Sequence, residues 1–73
     1  MKLNIWVAHV VRSLYAYQGQ RAEDLSFPEN LILDAHPSKT GSDWWYGTTR
    51  KTRTKGFFPR SYVDVVEKGE YRG

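Results

Sequence analysis

Tyrosine and tryptophan each carry a broad apolar face and one hydrogen-bonding group, so they tolerate a half-exposed position. Tyr15 and Tyr17 lie two apart, which places both on one face of an extended segment. In "GSDWWYGTTRK", from Gly41 to Lys51, Trp44 and Trp45 are adjacent, so a strand sends one indole inward and the other outward. Tyr46, Pro59 and Tyr62 add further apolar surface. Rings of this kind, beyond what a core requires, form a contact surface.

Other chemistries find no support. His9 and His36 are the only histidines and lack the neighbours a metal site needs. No serine, histidine and acid form a catalytic pattern, and no glycine-rich phosphate loop occurs. The chain is read as non-enzymatic, with no cofactor and no metal.

The elements that must position these residues are strands. Helical periodicity is poor, and short apolar segments alternate with turn-rich ones. "HVVRSLY" reads as a strand, "QGQRAED" as a loop, and "LSF" alternates with Leu25 and Phe27 on one face. "PEN" is a turn in which Asn30 tolerates a left-handed backbone. "LILDAH" is a strand, "PSKTGS" a loop, "WWYGTTR" a strand, "KTR" a tight turn and "TKGFFP" a strand ended by Pro59, which has no N–H for the ladder. "RSY" forms a turn of 3₁₀ type and "VDVV" a last strand, while "EKGEYRG" is expected to be a polar, frayed tail. Five short strands imply a small barrel or orthogonal sandwich. The expected core is Val11, Leu25, Phe27, Ile32 or Leu33, Ala35, Phe58 and Val63.

Composition bounds the rest. The 73 residues suffice for one small domain, and a chain of this size buries only about 60% of its unfolded surface. No cysteine is present, so packing carries the stability, and a reducing compartment fits. The opening "MKLNIWVAHVV" is interrupted by Asn4 and His9 and reads as the lead-in to a first strand rather than a signal peptide. The net charge of +3 owes much to "RKTRTK", where Arg50, Lys51, Arg53 and Lys55 form either a solvated hairpin tip or a phosphate-attracting one.

Four stretches carry a family resemblance. "SLYAY" (Ser13 to Tyr17) resembles the ALYDY signature of Src homology 3 (SH3) domains, and "EDLSF" (Glu23 to Phe27) is similar to the acidic arm of their RT loop. "DWW" (Asp43 to Trp45) resembles the tryptophan pair after the n-Src loop, and "GFFPRSYV" (Gly56 to Val63) resembles the closing G-x-F-P-x-x-Y-V. All four occur in family order across Val10 to Val66. The resemblance implies an all-β, five-stranded SH3-like barrel of two orthogonally packed antiparallel sheets over residues 10–66. Residues 1–9 are then an extension and residues 67–73 a flexible tail. It also implies an intracellular, cytoplasmic adaptor or scaffold module, monomeric when isolated, that binds proline-rich PxxP peptides.

Carried over residue by residue, Tyr15 and Tyr62 form one proline pocket, and Tyr17, Trp44, Pro59 and Tyr62 the second. Trp45 is structural and covers the sheet. A third pocket between the RT and n-Src loops uses Asp24, helped by Glu23 and Asp43, to pair a flanking arginine or lysine of the peptide. The polyproline II helix suits such a surface: it has three residues per turn, no internal hydrogen bonds and a conformation set before binding.

Departures from the family pattern are specific. Ala16 replaces the acid of ALYDY, and Asn30-Leu31 replaces a glycine–acid pair. Ser61 stands for an asparagine that donates to a ligand carbonyl, Ser13 for alanine, and Ala35 for a larger aliphatic residue. Peptide direction stays open. Rival partners are nucleic acid, met by exposed aromatics and "RKTRTK", and an anionic membrane surface met by the same basic loop. Neither is the favoured expectation.

Overall fold

The computed structural model describes residues 5–38 and 41–72 of the chain. Its strands are β1 (Ile5–Val7), β2 (His9–Ser13), β3 (Ile32–Ser38), β4 (Gly41–Thr49), β5 (Lys55–Pro59), β6 (Val63–Glu67) and β7 (Glu70–Arg72), with a 3₁₀ turn at Arg60–Tyr62 between β5 and β6. Five of them form one antiparallel sheet in the order β5-β4-β3-β2-β6, and β1 pairs with β7 in a separate ribbon.

Period-two alternation decides which side chains go inward. On β2 Val11 and Ser13 are buried and Arg12 exposed, on β3 Leu33 and Ala35 turn in, and on β5 Gly56 and Phe58 do. The core is Val11, Leu25, Phe27, Leu33, Ala35, Trp45, Phe58 and Val63. The choice between Ile32 and Leu33 falls to Leu33, which is fully buried while Ile32 is 36% exposed. Phe27 meets Phe58 edge-on at 5.4 Å, an aromatic contact in the middle of this core.

The segment between β2 and β3 closes the sheet on itself. At one end the Leu14 amide donates to the Tyr62 carbonyl (2.8 Å), beside the β6 edge. Tyr17 and Phe27 exchange backbone hydrogen bonds of 2.9 and 3.0 Å, which folds the segment into a hairpin. Its returning arm reaches the opposite edge, where Leu25 donates to Phe57 (2.8 Å) and Phe57 to Glu23 (3.0 Å). The β5 edge of the sheet is thereby paired, which covers edge groups that would otherwise stay open. Gly56 permits this approach, because a Cβ there would lie 2.6 Å from the Leu25 nitrogen and 2.8 Å from the Glu23 oxygen.

Ser13 anchors the other end of the hairpin. Its hydroxyl donates to the Pro28 carbonyl (2.7 Å) and accepts from the Leu31 amide (2.8 Å). Asn30 takes the left-handed backbone expected of it, with φ of 60°, and its amide donates to the Ser13 carbonyl (2.8 Å). In the β4–β5 turn Arg53 also has φ of 60°. There the hydroxyls of Thr49, Thr52 and Thr54 link up at 2.8 and 2.9 Å.

Three features differ from the sequence expectation. Residues 37–42, expected to be a loop, include Pro37 and Ser38 on β3 and Gly41 and Ser42 on β4. The ladder slips between Pro37 and Ser38, consistent with the amide hydrogen that proline lacks. The expected frayed tail instead contains β7, in register with β1 from Ile5↔Arg72 to Val7↔Glu70. The Gly69 amide donates to His9 Nδ1 (2.6 Å) and so holds the start of that strand. Trp45 is structural and opposite Trp44 as expected, but it belongs to the core, which the expected core list omitted: it is 7% exposed and stacked on His9 at 5.0 Å, with the Arg60 guanidinium 4.9 Å from its ring.

Candidate functional site

Two tyrosines outside the core, Tyr15 and Tyr17, pack against Tyr62. Pro59 ends β5 and the 3₁₀ turn that follows places Tyr62 beside the hairpin strand carrying Tyr15 and Tyr17. Tyr15 meets Tyr62 edge-on at 5.9 Å, and Tyr17 meets it at 5.1 Å with ring planes 68° apart. Trp44 pairs across the ladder with Pro59. Tyr15 is 60% exposed, and Tyr17, Trp44, Pro59 and Tyr62 are half-buried. Parity explains the tryptophans: Trp45 pairs with Phe58 inside, so Trp44 must face out. The outcome is two neighbouring aromatic groups, the Tyr15, Tyr17 and Tyr62 rings and the Trp44–Pro59 pair, linked by the 3₁₀ turn that runs from Pro59 to Tyr62.

The carboxylates divide into two kinds. Asp24 was expected to meet a ligand cation, but its side chain is only 1% exposed and its oxygens are taken within its own loop. It accepts from the amides of Gln20 (3.0 Å) and Arg21 (3.2 Å), from Arg21 Nε (3.3 Å) and Nη2 (3.1 Å), and from the Tyr17 hydroxyl (3.4 Å). Burial alone would raise its pKa, yet the Gln20 amide and the Arg21 side chain and amide outweigh burial and hold it below the ordinary carboxylate range. Tyr17 shifts the other way: burial, then the adjacent Asp24 carboxylate, pushes its hydroxyl up, so it stays a neutral donor. Glu23 and Asp43 remain exposed, with Glu23 Oε1 3.4 Å from Arg21 Nε. Ser61 is exposed on the 3₁₀ turn.

Two residues at this site escaped the sequence reading. Arg21 and Phe57 line a cleft of about 430 Å³ with Glu23 and Trp44. Phe57 alternates with buried Phe58 and meets Tyr46 edge-on at 4.8 Å, so its outward position was readable from parity. Arg21 left no comparable signal, since one arginine in a polar loop is ordinary. In the basic loop, Arg50 is engaged: Nη2 and Nε donate to the two oxygens of Asp34 at 2.9 and 3.2 Å.

A family model described as a variant SH3 domain matches residues 13–64. The chain is 36% identical over 58 residues to cytokinesis protein 3 of Schizosaccharomyces pombe, a match covering 80% of this chain and 6% of that protein. It is 32% identical over 54 residues to the myosin IC heavy chain of Dictyostelium discoideum, covering 74% of this chain and 4% of that one. It therefore spans only a small part of these curated relatives. Among solved structures, the C-terminal SH3 domain of myosin IB from Entamoeba histolytica, bound to a peptide, superposes with a TM-score of 0.71 at 27% identity, covering 81% of this chain and 93% of that one.

Proposed function

The chain belongs to the SH3 domain family, a non-catalytic protein-interaction fold, and on that premise we propose that it binds proline-rich PxxP segments of other proteins in the trough around Tyr62. Tyr15 and Tyr62 hold one proline ridge, and Tyr17, Trp44, Pro59 and Tyr62 the next. The Trp44 indole N–H and the Tyr15 and Tyr62 hydroxyls answer the carbonyls that a polyproline II helix leaves free. Ser61, exposed on the 3₁₀ turn next to Tyr62, adds a hydroxyl. Of the acids expected to meet a basic flanking residue, only Glu23 and Asp43 are exposed, so any such contact falls to them.

The observation that carries this reading is the packing of Tyr15 and Tyr17 against Tyr62, at 5.9 and 5.1 Å, beside the Trp44–Pro59 pair. In a longer protein of the kind its relatives represent, the domain acts as an adaptor or scaffold element within the cytoplasm. The basic-loop rivals are less favoured, because Arg50 already pairs with Asp34.

A short peptide on a shallow surface offers few anchors, so micromolar affinity is expected, equivalent to about 8 kcal/mol. Substituting Trp44→Ala should weaken PxxP binding by about thirtyfold or more while the domain stays folded. Phe27→Ala, by contrast, should cost roughly 3–5 kcal/mol of stability, as a core truncation does. Calorimetric titration and denaturant melts of both variants separate the roles. Undiminished peptide affinity in the folded Trp44→Ala protein would refute the groove.

A further inference from the structure

A guanidinium already lies on the outward tryptophan. The central carbon of the Arg21 guanidinium is 5.1 Å from the centroid of the Trp44 ring, within cation–π range. The same group donates to Asp24 Oδ1 from Nε and Nη2, at 3.3 and 3.1 Å, and its Nε lies 3.4 Å from Glu23 Oε1. With Glu23, Trp44 and Phe57 it lines the cleft beside the trough. A ligand cation arriving there meets an aromatic face and two carboxylates that one side chain of this chain already engages.

We propose that Arg21 is the specificity-determining residue of this cleft: it takes the place of a ligand cation, so the domain binds a proline core with little preference for a flanking arginine or lysine. This rests on the trough being a peptide groove, as proposed above. An intrachain guanidinium gives up no translational freedom to reach the site, whereas a ligand's does, so the competition favours Arg21. Its positive charge also repels a second cation directed at the same carboxylates. Asp24 stays held by the Gln20 and Arg21 amides at 3.0 and 3.2 Å without help from the Arg21 side chain, so the loop survives its removal. Arg21 and Glu23 side chains are 55% and 52% exposed, which confines the effect to ligand preference rather than fold.

The test titrates two peptides that share one PxxP core and carry arginine or alanine at the flanking position. Each is titrated into the wild-type domain and into Arg21→Ala, with an amide spectrum confirming the variant's fold. The wild type should bind both peptides within about threefold of one another. In Arg21→Ala the arginine peptide should bind about tenfold tighter than the alanine peptide, because the Trp44 face, Asp24 and Glu23 are released to the ligand. A wild type that prefers the arginine peptide by about tenfold, with the ratio unchanged in the variant, overturns the role of Arg21 alone. Failure of both peptides to bind either protein overturns the groove reading and this inference with it.

Discussion

Ser13 stands where the family has alanine, and its hydroxyl turns that departure into an anchor. It bridges the Pro28 carbonyl and the Leu31 amide from a side chain that is almost fully buried. Removing the oxygen leaves both backbone groups without that partner at a partly buried site. Ser13→Ala should therefore cost about 1–3 kcal/mol, measured as a lower denaturant midpoint with the slope unchanged. The departure was plain in the sequence, but its role was not, because the partners lie 15 and 18 residues away. The tryptophan pair was legible for the opposite reason: alternation along a strand needs no distant partner. Asp24 misled because it resembles the family acid by position, while its burial depends on how Gln20 and Arg21 curl back over it.

At the scale of elements, strand identity followed from alternation and turn residues, and Asn30 took the left-handed backbone its type allows. β1 falls in the stretch read as the lead-in to a first strand, but β7 was missed because a three-residue strand in polar sequence carries almost no periodic signal. What docks it is a tertiary contact, the Gly69 amide on His9 Nδ1. That bond requires an unprotonated Nδ1. Burial, then Lys68, Arg60 and His36, lowers the His9 pKa below its ordinary 6.5. With the folded value depressed, the unfolded chain binds the proton first, so this stability is complete above pH 6.5 and is lost as pH falls through the folded value. The denaturation midpoint should drop between pH 7 and pH 5, and the Gly69 amide signal should move with it. In His9→Phe, which keeps a ring on Trp45 but cannot titrate, this pH dependence should shrink. An equal slope in both proteins would assign it elsewhere.

At the scale of the whole molecule, one hairpin does two jobs. Its outgoing strand carries Tyr15 and Tyr17 to Tyr62, and its returning arm pairs Glu23 and Leu25 with Phe57 on the far sheet edge. Closing the barrel and building the trough are thus the same structural event, with Gly56 leaving room for the arm. The family motifs made this architecture legible because three of them, Ser13 to Tyr17, Glu23 to Phe27 and Gly56 to Val63, carry the residues that make the closing contacts. The cleft chemistry was less legible, since it turns on the loop conformation of a single arginine. The central claim is that the trough around Tyr62 receives a proline-rich ligand, and amide-resolved NMR titration with a PxxP peptide tests it most directly. The account predicts saturable shifts at micromolar concentration for Tyr17, Tyr62 and the Trp44 indole N–H, with residues 50–55 unmoved. Shifts confined to Arg50–Lys55, or none in the trough, would contradict it.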